Sequence, residues 1–157
     1  MSVVRNYTSH GIQVDVLVID WKHYRCVGDW SFTLNPDVCW HTPDQMVQTL
    51  KQLGVSQVFV SLHPWSQPGS LTYDNMTANH LCITTADGET RPWAGWTLPT
   101  CASPDDAAPA GANCLYDPSN ALSREFLWDN LKTGYWDYGT SLASCVQYDS
   151  ARSEKKH

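Results

Sequence analysis

The sequence is short of positive charge. Ten Lys and Arg stand against sixteen Asp and Glu in 157 residues, a net charge of −6, and the only basic cluster is Lys155-Lys156-His157. This excludes the basic footprint of a nucleic-acid binder. No stretch approaches the ~20 apolar residues of a membrane-spanning helix. Arg5, Asn6, His10 and Asp15 interrupt the amino-terminal region, so no signal peptide is expected there. Six cysteines include no C-x-x-C pair, which argues against a zinc ribbon or a redox motif. No internal repeat is present. At 157 residues the chain amounts to one domain or less.

Aromatic residues are plentiful: eight Trp, seven Tyr and three Phe. Such rings fill cores, and they also cover the apolar C–H faces of sugars. The residue that favours sugars is Asp20. It ends a valine-rich run, Val14 to Asp20, and Trp21, His23, Tyr24, Asp29, Trp30 and Phe32 follow it closely. An α/β protein collects ligand-binding groups at the carboxyl ends of its strands. A carboxylate there accepts hydroxyl hydrogen bonds, and neighbouring indoles supply the flat walls.

The pattern around Asp20 is a βαβ unit. Residues 14–20 read as a strand covered on both faces. The connection over 21–42 is longer than the 12–15 or so residues beyond which an unstructured connection is usually functional. Thr42 caps a helix that Pro43 opens and Gly54 ends, with Met46, Val47, Leu50 and Leu53 on one face. Gln57 to Leu62 is the second strand, running into His63-Pro64-Trp65. Residues 66–117 read as an excursion from the sheet, with a short helix over Tyr73 to Asn79, a short strand over Leu81 to Thr85 and a soft loop over Ser103 to Ala112. Helix resumes with Asp117 as cap, Pro118 as opener and Leu122, Phe126, Leu127 and Leu131 as its stripe. Trp136 to Gly139 then leads toward a third strand.

Cys26 and Cys39 bracket one loop, and Cys101 and Cys114 another. Each pair is a candidate loop-closing disulfide, with free buried thiols as the alternative. Asn6-Tyr7-Thr8 and Asn75-Met76-Thr77 fit the glycosylation sequon.

Taken in order, several segments resemble glycoside hydrolase family 31, the α-glucosidases and α-xylosidases built on a (β/α)₈ barrel. They are Val14 to Trp21, Gly28-Asp29-Trp30-Ser31-Phe32, Thr42-Pro43-Asp44, Val60 to Pro64 and Pro92-Trp93-Ala94-Gly95-Trp96. Tyr116-Asp117-Pro118-Ser119-Asn120 and Arg124 to Trp128 are the most specific, and Tyr135 to Gly139 closes the series. The resemblance covers residues 11–139, with an insertion at about 66–117, and leaves 140–157 as a divergent tail expected to be disordered. It implies an α/β fold that is a partial TIM barrel, with two to three parallel strands, helices and an inserted loop subdomain.

The resemblance also implies the chemistry. The aspartate matching Asp20 hydrogen-bonds sugar hydroxyls where the bond is cut, and Trp21, Trp30, His63 and Trp65 line the pocket. The ligands implied are α-linked glucosides or xylosides, with no cofactor and no metal. There are departures. His63 stands where family members carry tryptophan, and His41-Thr42 where they carry Pro-Asp. After Gly139 the family continues into a strand ending in the nucleophilic aspartate of a Trp-x-Asp motif, whereas Asp149 lies in no such context. The general acid has no counterpart.

A retaining glycosidase needs two carboxylates about 5–5.5 Å apart. Asp20 and Asp29 are the only nearby pair, and Asp29 also reads as an ordinary loop acid. Asp37 and Asp44 read as turn and helix-start residues. His23, His41 and His63 read as loop or core histidines, although Asp20, His23 and His63 together have the make-up of a two-His-one-carboxylate metal set. Two functions follow: a truncated α-glycoside hydrolase inactive alone, or a small self-standing carbohydrate-binding or metal-dependent hydrolase module. Length favours the first, because a barrel takes roughly 250 residues and two or three parallel strands leave an unpaired apolar edge.

Overall fold

A computed structural model describes residues 1–20, 23–32, 42–88, 101 and 113–143. Trp21, Cys39, His41, Pro92 to Trp96, Cys145 and Asp149 lie outside the described residues, as does the soft loop over Ser103 to Ala112.

Strand β1 (Val16–Ile19), helix α2 (Pro43–Gln52) and strand β2 (Gln57–Ser61) form the expected βαβ unit, preceded by a helix α1 (Ser2–Ser9). β1 and β2 are parallel, with Val16 opposite Gln57 and Ile19 opposite Val60. A third strand, β5 (Ser141–Ala143), lies parallel on the other side of β2 and pairs Phe59 with Ser141. The sheet order is therefore β1-β2-β5, and β2 is central. Residues 141–143, expected from the sequence to belong to a disordered tail, instead form β5 on the side of β2 away from β1, and residues 144–157 lie outside the described residues.

Local chemistry explains the elements. Pro43 sits in the first turn of α2, Asp44 and Lys51 match the helix dipole at its two ends, and Gly54 follows with φ +95°. Thr42 occupies the N-cap position, and its carbonyl accepts the first helical bond from Met46 N–H (3.0 Å), but its hydroxyl makes no capping bond. β1 does not match the expected strand buried on both faces. Val16 and Val18 are exposed, and only Leu17 and Ile19 turn to the core, because no element covers that face of β1 among the described residues.

α1 occupies residues to which the sequence reading assigns no element, ahead of the strand at 14–20. Its single fully buried side chain, Val4, joins Val47, Leu50, Val55 and Val58 in a small cluster beneath the sheet's amino end.

Between β2 and β5 the chain makes its excursion. β3 (Trp65–Ser66) pairs antiparallel with β4 (Cys114–Leu115), and Cys82 bridges Tyr116. α3 (Tyr73–Ala78) packs beside them. α4 (Ala121–Gly134) then returns the chain, followed by a 3₁₀ turn over Trp136–Tyr138. Its cap is Asn120 rather than Asp117: Asn120 Oδ1 accepts from Leu122 N–H at 3.0 Å, while Asp117 Oδ1 is held three residues earlier by the Ser119 N–H and hydroxyl. α4 starts three residues later than expected, with Leu122 exposed and Phe126, Leu127 and Leu131 facing the core.

The disulfides join other partners than the loop-closing pairs. Cys26 bonds Cys101 and Cys82 bonds Cys114, with Cα separations of 5.6 and 5.2 Å. The reason is the antiparallel return of the chain: Ile83 N–H donates to the Leu115 carbonyl at 2.8 Å, which sets Cys82 beside Cys114 across the ribbon instead of leaving Cys114 to face Cys101.

Candidate functional site

The carboxyl ends of β1 and β2 lie side by side, and each delivers a polar residue. Asp20 follows β1 and is exposed; His63 follows β2 by two residues and is half-buried. The Asp20 carboxylate lies near enough to act electrostatically on His23, Tyr24 and His63. Asp20 and His63 form the rim of the site.

Behind the rim is a buried wall. His23 Nδ1 donates to the Asp20 carbonyl (2.6 Å), and Nε2 accepts from the Tyr135 hydroxyl (2.8 Å) in the tautomer this arrangement requires. The His23 ring meets Tyr24 and Tyr135 edge-on, and Phe32 stands edge-on to Tyr135. Burial lowers the His23 pKa, opposed in part by the Asp20 carbonyl and then by the Asp20 charge. Burial likewise pushes the Tyr24 and Tyr135 hydroxyls up, so both stay protonated at neutral pH. His63 is also lowered by burial, with Asp20 opposing.

Both His23 nitrogens are thus occupied, and the metal set considered from the sequence does not assemble. Among the described residues no group of three His, Cys, Asp or Glu is placed to hold an ion. Asp29 is also committed. It is fully buried, with Oδ1 accepting from Leu71 N–H at 2.8 Å and Oδ2 3.6 Å from Arg25 Nε. It orders the loop.

Trp30 and Trp65 stand behind the rim rather than on it. Trp30 is 2% exposed, and its indole N–H donates to the His63 carbonyl at 3.0 Å, tying the loop after β1 to the end of β2. Trp65 is 5% exposed, within β3, its ring 6.0 Å from that of His63. Both belong to the main core cluster. Tyr135 is the residue that sequence reasoning missed. It lies 112 positions from His23, and nothing local to either marks the pair.

Two neutral histidines make stability depend on pH, and the sign follows from their lowered pKa values. The unfolded chain takes up a proton near pH 6.5 while the folded chain resists it. Stability contributed by the neutral rings is complete above that pH and declines below it, by up to about 1.4 kcal/mol per pH unit for each ring. Urea midpoints measured from pH 7.5 down to 5 should fall below pH 6.5, and His23→Gln should flatten much of the decline. A wild-type midpoint that rises on acidification would contradict the buried neutral ring.

A parallel sheet crossed by helices, with its polar groups gathered at the carboxyl ends of the strands, is a piece of a TIM-barrel-type α/β fold. Residues 1–150 match the TIM-barrel domain of the glycosyl hydrolases family 31, and the chain belongs to that family. Alpha-xylosidase A of Aspergillus niger is 30% identical over 139 residues, covering 87% of this chain and 16% of the relative. An uncharacterized family 31 glucosidase, ORF2 of Pseudescherichia vulneris, is 28% identical over 142 residues, 90% of this chain and 23% of the relative. The chain therefore spans less than a quarter of the length of these relatives. A family 31 α-xylosidase from a soil metagenome, solved with xylose, shares the fold at a TM-score of 0.66, with 23% identity over 95% of this chain and 20% of that one.

Proposed function

We propose that residues 1–157 form the sugar-orienting wall of a retaining α-xylosidase- or α-glucosidase-type glycosidase and do not break the glycosidic bond on their own. The observation that carries this reading is the exposed Asp20 carboxylate at the end of β1, close to His63 and backed by the His23–Tyr135 pair. A carboxyl group so placed accepts bonds from two adjacent sugar hydroxyls. Asp29, the other acid weighed from the sequence, is buried against Leu71 and Arg25. Trp30 and Trp65 support the wall from behind, Trp30 through its bond to the His63 carbonyl, and the family resemblance implies a sugar-binding role for Trp21.

The test is a titration of the purified chain with xylose and glucose, followed by chemical shifts near Asp20, alongside an assay on aryl α-xylosides and α-glucosides. Weak saturable shifts that Asp20→Asn abolishes, with no release of the aryl group, are the expected result. Turnover by the isolated chain, or shifts indifferent to Asp20→Asn, would overturn the reading.

A further inference from the structure

A second feature lies away from the site. A cleft of about 410 Å³ opens between α3 and α4, with Trp30, Thr72, Asn75, Phe126, Asn130 and Thr133 among its lining residues; neither Asp20 nor His63 borders it. Its walls combine amide and hydroxyl groups with a half-buried phenyl ring, a mixture suited to a sugar. Asn75 stands on the rim, exposed on α3, and is the first residue of the sequon Asn75-Met76-Thr77. Asn79 Nδ2 donates to Asn75 Oδ1 at 3.2 Å, and Met76 is buried beneath them. The two disulfides, spanning 75 and 32 positions, are the mark of an oxidising compartment, which is where such asparagines are modified.

We infer that Asn75 is an N-glycosylation site whose innermost sugars lie along the α3–α4 cleft. The co-reactant is an oligosaccharide joined to a lipid diphosphate. The Asn75 Nδ2 atom forms a bond to the anomeric carbon as the bond from that carbon to the diphosphate oxygen breaks. The lipid diphosphate departs with the electron pair, and the amide loses one proton. Transfer takes place on the extended chain, so α3 has only to leave the product room, and the cleft supplies it. Thr77 contributes the hydroxyl that the sequon requires; in the folded chain it donates to the Tyr73 carbonyl at 2.9 Å. Asn6, in the other sequon, is exposed on α1, and the cleft lining does not include it.

The experiment expresses the full chain behind a cleavable leader in yeast and analyses secreted and endoplasmic-reticulum-retained material alike, so that a folding failure does not hide the result. Peptide mapping after peptide-N-glycosidase F should convert Asn75 to aspartate with loss of one glycan. Asn75→Gln and Thr77→Ala should abolish that glycan, while Thr77→Ser and Asn6→Gln should keep it. Amides of α3 and of residues 126–134 should exchange more slowly in the glycosylated chain than in the enzymatically stripped one. An unmodified Asn75 in both fractions overturns the site, and equal exchange overturns the placement in the cleft.

Discussion

Replacing Cys82 and Cys114 together by alanine should lower the free energy of unfolding by roughly 3–4 kcal/mol. The bond closes a loop of 32 positions, and cross-links of that span restrict the unfolded chain by about this amount, within a general range of about 2–5 kcal/mol for native disulfides. The fold has little to replace it. The ribbon it crosses consists of two-residue strands, β3 and β4, with a bridge from Cys82 to Tyr116 beside them. Those strands carry Trp65, whose ring lies beside His63, so loosening them reaches the rim of the site. Urea unfolding of the double variant should show the midpoint drop with a steeper transition slope, because the unfolded chain without the cross-link is more expanded, and a reducing agent should lower the parent's midpoint further, because it also opens Cys26–Cys101. A midpoint within experimental error of the parent would mean that the pairing of these cysteines contributes nothing to the fold.

Gly134→Ala is expected to cost about 2–3 kcal/mol, against the usual sign for a helix. In an exposed helix this change gains about 0.5–1 kcal/mol, because alanine gives up less conformational freedom. Here a Cβ at 134 would overlap the Trp30 carbonyl and press on Ser31 Cα, both main-chain atoms with no rotamer to yield. Phe32 N–H also donates to the Gly134 carbonyl at 3.4 Å, so the loop after β1 lies directly across the end of α4. Overpacking against an unyielding wall typically costs about 1–3 kcal/mol and outweighs the helix gain. Thermal unfolding of Gly134→Ala beside Thr133→Ala makes the comparison, since Thr133 is exposed and its variant should stay within about 0.5 kcal/mol of the parent. Equal melting temperatures for the two would show that α4 and the loop do not approach this closely.

What the sequence made legible follows from range. The βαβ unit was readable because each of its signals is local: valines over 16–19 and 57–61, Pro43 after Thr42, and Gly54 just past the helix. Asp20 was readable for the same reason, as the last residue of an apolar run. Misreadings came where a choice depends on atoms far along the chain or on competition between neighbours. Asp117 and Asn120 are both good caps, and the turn through Ser119 took the first, leaving the helix to the second. The disulfide partners depend on how the 66–117 excursion folds back, which no spacing between cysteines encodes. The indoles at 30 and 65 look the same in a sequence whether they face a sugar or a core. Only the His63 carbonyl, reached across 33 positions, reveals where Trp30 points.

The two apolar clusters sit on one face of β2 at opposite ends, Val58 belonging to the Val4 group and Val60 to the group that contains Tyr24, Trp65 and Tyr135. Conservative swaps at positions 4, 47, 50 and 55 will therefore alter how readily the polypeptide melts and leave the proposed Asp20 rim unchanged, while equally mild swaps at 24, 32 or 135 will disturb both. A mutational scan should sort into those two phenotypes according to height along a single central strand.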